Sequence, residues 1–146
     1  FLLVGAEEKR NPDSVPTQYL KELSKYSFIK WTNFRTDVPD LYSLSSIAVL
    51  PSYYKEGVPR VLIEGAALGK PLISTNVNGC RDIVKDNENG LIIPTRDSKK
   101  LTHAILLLAN DLQKRIEMGK IGKKLVSESF SLKKVCKGWM SVYKQI

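Results

Sequence analysis

Ile47-Ala48-Val49-Leu50-Pro51-Ser52-Tyr53-Tyr54-Lys55-Glu56-Gly57-Val58-Pro59-Arg60-Val61-Leu62-Ile63-Glu64-Gly65-Ala66-Ala67-Leu68-Gly69-Lys70-Pro71-Leu72-Ile73-Ser74-Thr75 decides the fold. Ile47 to Leu50 is a short apolar run stopped by Pro51 and Ser52, which reads as a buried strand. Arg60 to Leu68 reads as a helix, with Gly69 as its stop. Pro71 to Thr75 is the next apolar run. Strand, helix and strand at this spacing make a right-handed crossover between parallel strands.

Outward from this stretch the alternation continues. Phe1 to Val4 reads as a strand ended by Gly5, and Val15 to Tyr26 as a helix with Tyr19, Leu20, Leu23 and Tyr26 at helical spacing. Ser27 to Thr32 is the next strand, and Asp37 is expected to cap a helix through Leu41, Tyr42 and Leu44. Downstream, Asn78-Gly79 reads as a break before a short helix over Arg81 to Val84. Asn89-Gly90 reads as a turn into a strand at Leu91 to Ile93. After Asp97 strands stop: Leu101, Ile105, Leu108 and Leu112 mark one helix face, and Ile116–Val126 and Val135–Tyr143 two more helices. The expected fold is α/β, a Rossmann-like three-layer sandwich with a parallel sheet and a helical C-terminal tail. Such sheets bind ligands outside the carboxyl ends of their strands. The loops that matter therefore follow Val4, Thr32, Leu50, Thr75 and Ile93.

Composition excludes several classes. The 146 residues are 42% hydrophobic and 26% charged, a globular balance within one domain's usual length. Cys80 and Cys136 cannot frame a disulfide scaffold, and with a single His they leave too few ligands for a zinc site. No apolar run reaches the roughly 20 residues of a membrane span. Phe1-Leu2-Leu3-Val4 lacks the features of a signal peptide and reads as a strand already under way, so the chain is expected to be part of a longer one. The net charge of +8 is lopsided: residues 96–146 hold 12 Lys or Arg against 4 Asp or Glu. Lys120, Lys123, Lys124, Lys133, Lys134 and Lys137 cluster there, a pattern suited to an anionic surface.

The loop after Leu50 carries the densest chemistry. Glu56 lies at the helix entrance and Glu64 about two turns along. Paired carboxylates suit paired hydroxyls such as those of a sugar and a ribose. Gly57 offers backbone approach, and the free amides of the helix start favour a phosphate. Taken alone, an isolated Glu pair is more often a helix-end charge and a solvated side chain.

In order and spacing, these segments resemble the donor-binding half of the retaining GT-B-fold glycosyltransferases. The resembling segments are Leu2–Gly5; Lys30–Phe34 with Asp37–Tyr42; Ile47–Ser52; the E-x7-E spacing from Glu56 to Glu64; Gly69–Thr75; Gly79–Val84; and Asn89–Pro94. The resemblance implies one nucleotide-sugar donor-binding domain over residues 1–146. The first strand of that domain and the acceptor-binding N-terminal domain are expected to precede it, so these residues alone should transfer no sugar. It also implies a UDP-sugar donor, a glycan or lipid-linked acceptor, no cofactor, no metal and no nucleic acid. Expected surroundings are the cytoplasm and the inner face of its membrane, with peripheral contact through the basic C-terminal helices. The last helix is expected to pack on the acceptor domain.

By the same resemblance, Glu56 stands at the reacting centre and holds the sugar hydroxyls, and Glu64 holds the ribose. Amides near Gly57 and Val58 hold the sugar, and those near Val61 and Leu62 a phosphate, with Arg60 adding positive charge. Backbone around Thr32 and Asn33 meets the base. Val58-Pro59-Arg60 replaces a more glycine-rich run found in many relatives and matches a bacterial surface-glycan subgroup. Two alternatives share the fold: a GT-B-type sugar-nucleotide epimerase, and a non-enzymatic nucleotide-binding regulatory module. A single His103, pointing away from its helix's apolar face, opposes the first. Pro51-Ser52, standing where a phosphoacceptor Asp would follow a middle strand, opposes a receiver-type module.

Overall fold

The computed structural model describes residues 1–11, 13–55 and 57–144. The chain forms two compact units, divided between Leu41 and Tyr42.

In the first unit β1 (Leu2–Leu3) and β2 (Lys30–Trp31) pair in parallel, Leu2 beside Lys30, with α1 (Thr17–Leu23) between them in sequence. No residue of α1 is buried. The helix start is secured from afar: the Glu7 carboxylate accepts from the Thr17 amide at 3.0 Å and its hydroxyl at 2.6 Å. Those bonds to the charged form hold Glu7 below its usual pKa. Trp31 donates its indole N–H to the Gly5 carbonyl at 2.8 Å, tying the ends of β1 and β2. Asp37 was expected to cap the next helix. Its carboxylate instead takes the Arg35 guanidinium at 2.7 Å, and this holds Asp37 below its usual pKa. α2 (Val38–Leu44) spans the division between the units.

The second unit holds a parallel sheet in the order β3 (Ala48–Leu50), β4 (Leu72–Thr75), β5 (Gly90–Ile93). The registers are Ala48 with Leu72 and Ser74 with Ile92. Every residue of the central strand β4 is buried. Its side chains alternate between two cores. Leu72 joins Leu62 and Ala66 of α3 (Arg60–Ala67), Cys80 and Ile83 of α4 (Asn78–Ile83), and Val126 of α6 (Leu112–Ser129). Ile73 joins Ala104 and Leu108 of α5 (Ser98–Ala109), and Met118 of α6. Burying a leucine or isoleucine of this kind stabilises by about 1.5–3 kcal/mol. Two glycines permit the closest approaches. A Cβ on Gly90 would meet the Leu72 carbonyl oxygen at 2.2 Å, and one on Gly119 the Gly69 carbonyl oxygen at 2.0 Å.

Two local expectations are corrected. α4 begins at Asn78, not after Gly79, because the Arg81 amide already donates to the Val77 carbonyl at 3.1 Å. The turn expected at Asn89-Gly90 is present, running from Asn87 to Asn89 into β5 at Gly90, and the buried Asn89 side chain ties the Ile83 carbonyl (2.9 Å) to the Lys85 amide (2.7 Å). Leu112 leaves the α5 face, since Asp111 caps a new helix through the Lys114 amide at 2.8 Å; Leu112 is 62% exposed.

α7 (Leu132–Tyr143) buries no residue; Leu132, Val135, Trp139, Met140 and Tyr143 are exposed. Among the described residues no helix is long and apolar enough to cross a membrane.

Candidate functional site

The loop after β3 is held at the carboxyl end of the sheet by two hydroxyls of β4. Ser74 donates to the Leu50 carbonyl at 2.8 Å, and Thr75 donates to the Ser52 carbonyl. These bonds explain how a central strand accommodates buried Ser and Thr. They fix the chain's direction as it leaves the sheet for α3.

α3 starts at Pro59, whose extended backbone (φ −68°) occupies the N-cap position. Its carbonyl accepts from the Leu62 amide at 3.1 Å and the Ile63 amide at 3.3 Å. The amides of Arg60 and Val61 find no acceptor among the described residues. The expectation that the Leu62 amide faces a phosphate is therefore corrected: that amide is spent inside the helix, and the Leu62 side chain is fully buried. The open donors are one position earlier, at the positive end of the helix.

Glu64 lies one turn further, its side chain 41% exposed. Its nearest described charge is the Arg60 guanidinium at 3.9 Å, itself 91% exposed. A basic residue one turn before an acidic one is the weaker order for a helix pair, and Arg60 stands at the helix end that repels cations. The pair therefore adds little to the stability of the helix. Beside them Gly65 lets α3 press onto the sheet, since a Cβ there would meet Ala48 Cβ at 2.8 Å.

Tyr42 is a site residue that sequence reasoning missed. Its hydroxyl donates to the Val61 carbonyl at 2.7 Å, at the second residue of α3. Burial, with Glu64 adding negative charge, pushes its pKa up to about 12. The signal was its place on a helix ahead of an apolar strand, where it reads only as one more apolar position.

The other expected residues fall as follows. Glu56 lies outside the described residues. Gly57 has open space around it and a φ outside the left-handed region, so room rather than backbone strain distinguishes it. Val58 is exposed. Thr32 and Asn33 belong to the first unit. The Thr32 amide donates to Leu3 at 2.9 Å, and the Asn33 carbonyl accepts from Gly5 at 3.0 Å, which leaves the Thr32 carbonyl and Asn33 amide outside those bonds. Cys80 is buried in the core and His103 is exposed. Among the described residues no group of three His, Cys, Asp or Glu is placed to hold a metal ion.

A second polar feature stands at the same end of the sheet. Arg96, after β5, adopts φ 58° and lays its guanidinium over the Tyr53 ring, 4.6 Å from its centroid. Tyr53 stacks on Tyr54 with centroids 4.5 Å apart. The left-handed backbone costs about 1–3 kcal/mol in a non-glycine residue. An exposed cation–π contact returns only about 0.5–1 kcal/mol.

Comparison with known proteins bears on this arrangement. The family described as glycosyl transferases group 1 matches residues 1–125. The N,N'-diacetylbacillosaminyl-diphospho-undecaprenol alpha-1,3-N-acetylgalactosaminyltransferase of Campylobacter jejuni is 31% identical over 82% of this chain. The UDP-Gal:alpha-D-GlcNAc-diphosphoundecaprenol alpha-1,3-galactosyltransferase of Escherichia coli is 27% identical over 94%. This chain spans 30% of the first relative's length and 35% of the second's. HepE of Anabaena, solved in complex with UDP, shares the fold with a TM-score of 0.89 at 22% identity; the match covers 99% of this chain and 40% of HepE.

Proposed function

This chain belongs to the group 1 glycosyl transferases, and from that premise we propose that it is the donor-binding half of a retaining enzyme. That enzyme moves a sugar from a nucleotide-sugar to a glycan or lipid-linked acceptor. The observation that carries the reading is the start of α3, where the open amides of Arg60 and Val61, the exposed Arg60 guanidinium and the half-exposed Glu64 carboxylate lie within two turns. Amides and guanidinium take a phosphate, and the carboxylate accepts from the two ribose hydroxyls.

Transfer proceeds by displacement on one face of the sugar. The acceptor oxygen bonds to the anomeric carbon as the bond from that carbon to the phosphate oxygen breaks. The acceptor's proton passes to the departing phosphate. Positive groups at the α3 start stabilise the charge that develops on the leaving diphosphate. Glu56 is assigned to the sugar hydroxyls near the reacting centre, Gly57 and Val58 to backbone contacts with that sugar, and Thr32 and Asn33 to the base edge. No metal is required by this scheme.

The relatives' names support the substrates. The E. coli relative is named for UDP-Gal, and both relatives for acceptors carried on diphospho-undecaprenol. A UDP-sugar donor and a lipid-linked acceptor are accordingly assigned here. So is a place at the inner face of the cytoplasmic membrane, with the lysines of α6 and α7 toward anionic headgroups. Titration with UDP, followed by backbone amide shifts, tests the donor assignment. Shifts at Arg60, Val61 and Glu64 are expected; shifts confined to the lysine-rich helices would refute it.

A further inference from the structure

Tyr53 stands between two partners. The Arg96 guanidinium lies 4.6 Å from its ring centroid, and the Tyr54 ring stacks 4.5 Å from it. Two groups this close cannot share one face of a ring, so both faces are filled. The stack ties the loop that leaves β3 to the loop that leaves β5, both at the carboxyl end of the sheet. Each end of the tie is fixed by other bonds. Thr75 donates to the Ser52 carbonyl, directly before Tyr53. Directly after Arg96, Asp97 caps α5: its carboxylate accepts from the Lys100 amide at 2.9 Å and its carbonyl from the Leu101 amide at 3.0 Å.

Fold stability does not account for an arginine at this place. Its φ of 58° suits glycine, and the strain exceeds what an exposed cation–π contact returns. Among the described residues Arg96 forms no ion pair, and the neighbouring Asp97 carboxylate is engaged at the start of α5. What the arginine does is hold Tyr53. From Tyr53 and Tyr54 the chain runs on toward Gly57, where a Cβ would meet nothing within 4 Å, and toward the exposed Val58. With so little packed against it, this part of the loop takes its course from its ends: the start of α3 at Pro59 and the tyrosine stack.

We infer that Arg96 is a positioning residue: by clamping Tyr53 it orders Tyr54, Lys55, Gly57 and Val58 in the shape that meets the donor sugar. The clamp stands on the geometry alone. Its link to the sugar rests on the function proposed above, which gives the sugar contacts to Glu56, Gly57 and Val58. Backbone strain at Arg96 is then retained for order in a binding loop rather than for the fold.

The test compares the 146-residue chain with Arg96→Gly, Arg96→Lys, Tyr53→Leu and the double variant Arg96→Gly with Tyr53→Leu. Arg96→Gly relieves the left-handed φ, so its melting temperature should hold or rise. Backbone NMR order parameters at Tyr54, Lys55, Gly57 and Val58 should nonetheless fall toward the flexible range, below about 0.6, while those of β4 stay unchanged. Tyr53→Leu should loosen the same amides, and adding Arg96→Gly to it should change them no further, because the arginine acts through the ring. Arg96→Lys keeps a cation within reach of the ring and should retain part of the order. UDP, UDP-glucose and UDP-galactose are then titrated. In Arg96→Gly the better-bound sugar nucleotide should weaken by about two- to fivefold, the worth of one exposed cation–π contact, with UDP unchanged. Unchanged order parameters in Arg96→Gly, additive effects in the double variant, or a lowered melting temperature overturns the clamp. Equal losses for UDP and the sugar nucleotide, or no loss for either, overturns its link to the sugar. If the wild type binds all three nucleotides alike, or none, the donor reading of this loop fails, and the clamp is decided by the order parameters alone.

Discussion

Tyr42 donates its hydroxyl hydrogen to the carbonyl of Val61 across 2.7 Å, so a residue of α2 holds the first turn of the helix that bears Glu64. Removing that hydroxyl leaves the ring in place and takes away one neutral hydrogen bond, worth about 0.5–1.5 kcal/mol. Tyr42→Phe is expected to lower the unfolding free energy by that amount, read as a lower urea midpoint at unchanged slope. An unchanged midpoint would show that the bond does not anchor α3.

The same hydroxyl gives a pH signature. Tyr42 titrates near 10.0 when unfolded and at about 12 when folded. Between those values the folded chain binds the proton that the unfolded chain has lost, so stability falls as pH rises. The contribution is fully present below pH 10.0 and is lost on the way to about 12. Other titrations are common to both proteins, so the stability gap between wild type and Tyr42→Phe should narrow across this window. A gap that stays constant contradicts the assignment.

Glycine substitutions should separate sharply by place. Gly119→Ala puts a methyl 2.0 Å from the Gly69 carbonyl oxygen, and Gly90→Ala puts one 2.2 Å from that of Leu72. Backbone must shift in both, at about 1–3 kcal/mol or more. Gly138 on α7 has nothing within 4 Å, so Gly138→Ala should stabilise that helix by about 0.5–1 kcal/mol. Thermal melts compare the three; similar effects at all of them would contradict the packing described.

The parallel α/β arrangement was legible because Ile47–Leu50, Pro71–Thr75 and Leu91–Ile93 are continuous apolar runs, as strands covered on both faces require. What local chemistry could not reveal was tertiary proximity. Asn89-Gly90 reads as a turn into a strand and is one, but that Gly90 runs bare against Leu72 and that Asn89 closes the loop from Ile83 depend on the fold. Asp37 has the composition of a cap, yet Arg35 captures it. In the site, the helix start was legible, but the use of the Leu62 amide inside the helix was not. Neither was Tyr42, whose role depends on a fold that brings residues 42 and 61 together.

The donor assignment rests on Glu64, and calorimetric titration of UDP into the wild type and Glu64→Ala tests it most directly. The chain is expected to bind UDP at about 0.1–1 mM, some 4–5 kcal/mol. Loss of charge-assisted bonds to the ribose should weaken this by about ten- to a hundredfold, roughly 1.5–3 kcal/mol. UDP-sugars should weaken by the same factor, since they share that ribose. Glu64 is half exposed, with Arg60 no nearer than 3.9 Å, so the fold should persist and near-native thermal stability confirms it. Equal UDP affinity in the two proteins would contradict the account.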